Sequence, residues 1–157
     1  MREYVIRWRS MDIWTLRELL NKVTHKQKLN ILQQTKIGRD RTALHAAAGR
    51  DDVVMITTIL SSLQSSDRFK VLVMEDDANC TPLHRAASVD HTETVKAILN
   101  SLTADQQIQL LTVGDWRGKT AVEMASGETA YVLSEYRNRA REKADPGESI
   151  PLNFHVL

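Results

Sequence analysis

One six-residue word recurs along this chain at a fixed interval. It reads Thr42-Ala43-Leu44-His45-Ala46-Ala47, then Thr81-Pro82-Leu83-His84-Arg85-Ala86, then a worn Thr120-Ala121-Val122-Glu123-Met124-Ala125. The threonines at 42, 81 and 120 stand 39 residues apart each time. A period of this size means that one supersecondary unit is copied along the chain. A single copy cannot bury its own apolar face, so copies stack and share an elongated core. The architecture is therefore a repeat solenoid rather than a fold closed around one centre.

The middle copy shows what the unit contains. Thr81 stands where a hydroxyl caps a helix N-terminus, and Pro82 occupies the first helical position, where a missing N–H costs nothing. Leu83, Ala86 and Ala87 follow at i, i+3 and i+4, one stripe of a helix. The small alanines let neighbouring units approach closely. Asp90-His91 marks a turn, and a second helix runs from about Thr92 to Leu102 with Val95, Ile98, Leu99 and Leu102 on its apolar face. Val53, Ile56, Ile59, Leu60 and Leu63 repeat that face earlier, and Ile13, Leu16, Leu19, Leu20 and Val23 repeat it again. Asp12 stands in the place of Asp52 as an N-cap for the first of these helices. Residues 1–9 carry no copy of the word and are expected to form an irregular cap.

The connectors are patterned too. Ser66–Leu72 aligns with Asp105–Leu111, and Thr24–Leu32 looks like an earlier version. Each opens on a capping residue and carries an apolar pair three to four residues apart, which predicts a short extra helix in every connector.

The word Thr81-Pro82-Leu83-His84-Arg85-Ala86 matches the T-P-L-H-x-A signature of ankyrin repeats, and the chain resembles that family over most of residues 12–142. The resemblance implies an all-α ankyrin-repeat solenoid of stacked helix–turn–helix units, here with an additional short helix in each connector. The period exceeds the usual ankyrin length of about 33 residues. The expected organisation is a domain over 1–143, with a degenerate N-terminal unit at 1–37 and repeats starting near 38, 77 and 116, followed by a tail at 144–157. The third repeat, with Glu123 for His and Ser126 for Ala, is worn as a polar terminal repeat should be. Its second helix, Thr129 to about Glu142, is expected to carry Tyr131, Val132, Leu133 and Tyr136 on one side. The apolar tail Ile150–Leu157 either folds back on this cap or serves as a short linear motif. The core should contain Leu44, Ala47, Ile56, Leu60, Leu83, Ala86, Val95, Leu99 and Val122.

Composition bounds the function classes. The chain has 157 residues, 42% hydrophobic and 26% charged, with a net charge of +1. No global basic field argues for nucleic acid. Cys80 is the only cysteine, which rules out an intramolecular disulfide and suits a reducing compartment. No apolar run is long enough to span a bilayer, and Met1–Arg9 lacks a secretory h-region. A cytoplasmic protein, or a nuclear one, is the expectation.

Candidate chemistry is thin. His45 and His84 occupy equal places in adjacent repeats; in the family this His, with the Thr opening the word, ties neighbouring loops by hydrogen bonds. No His-x-x-His or Cys-x-x-Cys pair accompanies them. Cys80 sits just before Thr81 as a lone loop thiol beside Glu75, Asp76 and Asp77, whose charges would raise its pKa. Gly114–Thr120 ends in Gly-Lys-Thr but lacks the glycine spacing of a phosphate loop, and it aligns with the loop before each Thr word. No catalytic residue, cofactor or metal is expected, and the chain is read as a non-enzyme.

The resemblance implies a concave face made of loop tips and the exposed side of each first helix, where proteins of this family bind partners. By position this face carries Arg39, Arg41 and Arg50 in the first repeat, Asp77, Arg85 and Val89 in the second, and Trp116, Arg117 and Lys119 in the third. Cys80 and Glu128 fall on the same surface. Arginine and tryptophan are enriched in interface hot spots because they combine contact area with directional bonds. The reading is a protein-interaction module, an adaptor or regulator, acting as a monomer and taking an acidic segment of another protein. One alternative uses the same arginines, a nucleic-acid-binding or anionic-lipid-binding module; another, for a microbial or viral source, is a host-directed effector. The bland alternative is that Trp116 packs on its neighbouring repeat and the arginines are solvated.

Overall fold

The computed structural model describes residues 13–34, 39 and 41–144. The expected N-cap Asp12, the irregular cap at 1–9 and the tail 145–157 lie outside the described residues. Ten helices follow in chain order among the described residues: α1 (Ile13–Lys22), α2 (His25–Gln34), α3 (Ala43–Gly49), α4 (Val53–Ser61), α5 (Ser65–Leu72), α6 (Pro82–Ser88), α7 (Thr92–Asn100), α8 (Ala104–Thr112), α9 (Ala121–Met124) and α10 (Gly127–Ala144). Helices in equal places of successive repeats pack on one another. An inner row runs α3–α6–α9 and a second row runs α1–α4–α7–α10. The connector helices are present as α2, α5 and α8; α2 packs against α5, and α8 against α10.

The core lies between the rows. Leu44, Ala47, Ile56, Leu60, Leu83, Ala86, Val95 and Leu99 are buried as expected, whereas Val122 is half-buried and packs against the core from the last short helix. Ala43, Ala47, Ala48, Ala86, Ala87 and Ala121 are all buried, so the inner helices meet through methyl groups rather than long side chains. α9 is only four residues long, so Val122 lacks the second turn that would cover it.

Two of the three connector helices, α2 and α8, are capped by their own side chains. Thr103 and Gln106 exchange side-chain-to-backbone bonds at the start of α8, as Thr24 and Gln27 do at the start of α2. Arg68 and Gln107, in equal places of α5 and α8, donate to the last carbonyls of the preceding helix: Arg68 Nε to Leu60 O at 2.8 Å, and Gln107 Nε2 to Leu99 O at 2.7 Å. Each carbonyl also accepts from a backbone N–H just past its helix, Leu63 to Leu60 O at 3.2 Å and Leu102 to Leu99 O at 3.1 Å, so the connector side chain adds a second bond at the helix end.

The inter-helix turns need left-handed backbone. Asp51 has φ 58° and Asp90 has φ 54°, in the place where glycine would be unstrained. The carboxylates give a reason for aspartate there. Asp51 Oδ1 accepts from Thr94 Oγ1 at 2.7 Å, and Asp90 accepts from the Ser126 N–H at 2.8 Å and from its hydroxyl. Both bonds reach the following repeat.

α10 is 18 residues long, twice the nine of α7. Leu133 and Ala140 are buried along it, with Tyr136 partly buried between them and donating to Asn100 at 2.7 Å. Tyr131 does not share that side. It lies two residues from Leu133, about 200° around the helix, is itself exposed, and its hydroxyl donates to Glu135 at 3.0 Å.

Candidate functional site

The site is a row of loop fingers standing in front of the inner helices. The second and third fingers are each built around one aspartate that the sequence reading passed over. In the second finger the Asp76 N–H donates to Cys80 O at 3.0 Å, closing the loop. Asp76 Oδ1 accepts from the N–H groups of Ala78 and Cys80 at 2.9 and 3.1 Å. Asn79 turns the tip at φ 54°. The third finger copies this atom for atom. The Asp115 N–H donates to Lys119 O at 2.9 Å, Asp115 Oδ1 accepts from the N–H groups of Arg117 and Lys119 at 2.8 and 3.0 Å, and Gly118 turns the tip at φ 77°. Gly114, the other glycine of the segment that ends like a phosphate loop, sits where an added Cβ would come within 2.9 Å of the Gly118 backbone. Its role is therefore close approach within the finger.

Successive fingers are bonded together. The Asp77 N–H donates to Arg39 O at 3.1 Å, and the Trp116 N–H donates to Ala78 O at 3.2 Å. The repeated histidines fasten them from behind. Thr42 N–H donates to His45 Nδ1 at 3.1 Å, and His45 Nε2 lies 2.8 Å from Cys80 O. Thr81 N–H donates to His84 Nδ1 at 3.1 Å, and His84 Nε2 lies 3.1 Å from Lys119 O. An acceptor at Nδ1 and a carbonyl at Nε2 define the neutral tautomer with its proton on Nε2. Burial disfavours the charged ring and holds both histidines below their usual pKa, although the bonds to the carbonyls pull the other way. Both are structural ties, as the repeat position implied. Glu123, in the third copy, takes the Thr120 N–H at 2.8 Å and reaches no further finger.

The predicted partner-binding residues fall into three groups. Trp116 and Arg117 come together at the tip of the third finger. Trp116 is 69% exposed, and the Arg117 guanidinium lies 5.6 Å from its ring centroid. Arg117 also bonds Asp115 Oδ2 through Nη2 at 3.0 Å. Arg41 and Arg85 come together on Asp76. Arg85 donates to Asp76 Oδ2 through Nε at 2.8 Å and through Nη2, while Arg41 Nε stands 3.7 Å from the same oxygen. Burial alone would raise the Asp76 pKa. The bonds from Arg85, Ala78 and Cys80 outweigh it and hold the carboxyl below its usual range.

The remaining residues are more scattered. Arg39, Asp77 and Lys119 are exposed on the fingers, where their backbones join the loop ladder. Arg50 and Val89 cap the far ends of α3 and α6, about 10 Å along a seven-residue helix from the fingers. Cys80, placed by the sequence reading on the same surface, is instead 4% exposed: it faces inward from the finger base, and burial is the main reason its thiol pKa is raised. Asp76 and Asp115 were missed, yet a signal existed. They stand five residues before successive Thr words, at the repeat interval.

Stacked helical hairpins joined by a ladder of fingers define a repeat solenoid. The sequence matches the family described as ankyrin repeats (3 copies) over residues 9–110, and the chain belongs to the ankyrin-repeat family, in general a family of non-enzymatic interaction modules. None of the curated proteins matches. Fourteen chains of solved structures do. Among them is a chain of the crystal structure of the yeast ribosomal protein Rps3 in complex with its chaperone Yar1. It is similar to this chain at 19% identity and a TM-score of 0.61, over 90% of each chain, a likeness in fold. No helix among the described residues is long and apolar enough to cross a membrane.

Proposed function

We propose that this protein is a non-enzymatic adaptor or regulator that binds a partner protein on the surface formed by its fingers and inner helices. One observation carries the reading: Trp116 stands 69% exposed at the tip of a rigid finger, with Arg117 over its ring. The finger is fixed by Asp115 and by the Trp116-to-Ala78 backbone bond, so the indole is held out at little entropic cost on binding. This exposure also argues against the packing role as an explanation of Trp116. The similar solved chain comes from a complex of a ribosomal protein with its chaperone, and a protein ligand is the class proposed here.

Ion pairing favours a protein over phosphate as the ligand. Arg41, Arg85 and Arg117 already stand against internal carboxylates, which leaves less free charge for a polyanion than the arginine count suggests. The net charge of only +1 and the single buried thiol fit a monomer in the reducing cytoplasm.

The test is an affinity capture from the native source that compares wild type with Trp116→Ala/Arg117→Glu, read by mass spectrometry. A protein lost only from the variant, with helicity unchanged by circular dichroism, names the partner. Recovery of the same proteins with both baits refutes the assignment of this surface.

A further inference from the structure

The two fingers are alike in backbone but not in charge. Asp115 meets a single guanidinium, that of Arg117 in its own loop. Asp76 meets two, Arg85 from α6 and Arg41 from the preceding finger. The difference is written in the repeat: Cys80 stands in the third-finger place of Arg41, and Met124 in the place of Arg85. The Asp115 cluster is therefore neutral, and the Asp76 cluster carries one net positive charge.

The surplus charge belongs to Arg41. Asp76 Oδ1 is filled by two backbone N–H groups, and Oδ2 takes both bonds from Arg85. At 3.7 Å Arg41 Nε is held by attraction alone, and although shielded from solvent it makes no hydrogen bond. The Glu75 carboxylate is engaged elsewhere, accepting from Asn79 Nδ2 at 2.9 Å. Among the described residues neither Glu75 nor Asp77 pairs with either guanidinium. Both arginine side chains remain reachable, Arg41 at 34% exposure and Arg85 at 24%. Two partly desolvated guanidiniums sharing one saturated carboxylate repel each other, and a second carboxylate between their outer nitrogens removes that repulsion with charge-assisted bonds.

We infer that Arg41 and Arg85, held together by Asp76, form a carboxylate-binding subsite at the junction of the first two repeats, which receives an aspartate or glutamate side chain of the partner protein. The inference rests on the proposed protein-binding role of this surface and deepens it. Trp116 supplies the contact area at one end, and the Arg41–Arg85 pair supplies charge specificity at the other. Arg117, already closed on Asp115, does not select charge.

The probe is the peptide acetyl-Glu-Glu-Glu-amide, with acetyl-Gln-Gln-Gln-amide as control. Each is titrated at constant ionic strength into the full-length protein while the arginine Nε–Hε resonances are followed by NMR. The Arg41 and Arg85 signals should move saturably with the glutamate peptide only, while Arg117 stays still. Arg41→Gln should weaken the titration about tenfold, the equivalent of one charge-assisted hydrogen bond. Arg139→Gln, on α10 away from the fingers and paired with Glu135, should leave it unchanged. Equal, non-saturating shifts at all arginines, or an Arg41→Gln variant that binds as wild type does, would overturn the subsite. This readout needs no captured partner. A titration that succeeds beside a capture experiment indifferent to Trp116 and Arg117 supports the subsite and refutes only the wider surface assignment.

Discussion

His84 and Glu123 occupy the same place in successive repeats, and the solenoid predicts very different costs for removing them. His84 is fully buried and bonded at both ends, to Thr81 within its own repeat and to Lys119 in the next finger. His84→Ala leaves the buried Thr81 N–H without a partner, which costs about 1–3 kcal/mol. The lost bond to Lys119 O adds roughly 1 kcal/mol, because that carbonyl keeps the Asp115 N–H. A partly collapsed ring-sized void brings the total to about 3–5 kcal/mol. Domains of this size have only about 5–15 kcal/mol of net stability, so the change is large. Glu123 is exposed and only caps α9, so Glu123→Ala should cost about 1 kcal/mol or less, with water taking its place. His45→Ala should resemble His84→Ala, since His45 ties the first finger to Cys80 O in the same way. Urea unfolding at pH 7.5, followed by far-ultraviolet circular dichroism, measures all three. If His84→Ala falls within about 1 kcal/mol of wild type, or Glu123→Ala matches it, the inter-repeat tie does not contribute as the geometry requires.

Two further outcomes follow from the same structure. The lowered pKa of His45 and His84 means that the unfolded chain binds more protons below the usual histidine value of about 6.5, so stability is full above that pH and falls as pH drops beneath it. Urea midpoints from pH 7.5 to 5 should decline in wild type and flatten in a His45→Gln/His84→Gln variant; an equal slope in both would refute the buried neutral tautomers. Leu83 is fully buried between α6 and its neighbours, so Leu83→Asp places an uncompensated charge in the shared core and should unfold much of the domain at 25 °C by circular dichroism. Wild-type thermal stability in that variant would contradict the stacking.

The fold could be read in advance because a repeat tests itself. The spacing of Thr42, Thr81 and Thr120 bears on every element between them, so helices, connector helices and the apolar faces of α4 and α7 were each expected three times over. Where the repeat breaks down the reading weakened. The sequence pattern puts Tyr131 on the apolar side of the last helix, but α10 is long, and nothing in its polar run shows which stripe meets α8. The site was read unevenly for a related reason. Trp116 and Arg117 could be placed at a loop tip from their position in the repeat. The fate of each charge could not, because ion pairing depends on which side chains share a few ångströms.

What the sequence determined by itself is whatever is local or periodic: the helix starts at Thr42, Thr81 and Thr120, the alanine-lined inner row and the turn at Asp90. Tertiary structure alone decided what crosses between units. It turned Cys80 inward, joined His45 and His84 to carbonyls of the following fingers, and set Arg41 beside Arg85 on one carboxylate while leaving Arg117 with another. The physical reason is range. Capping and amphipathicity act over three or four residues and are written in the spacing of the chain. Burial and Coulomb interaction act through space, and residues 35 or more positions apart along the chain become neighbours only once the repeats have stacked.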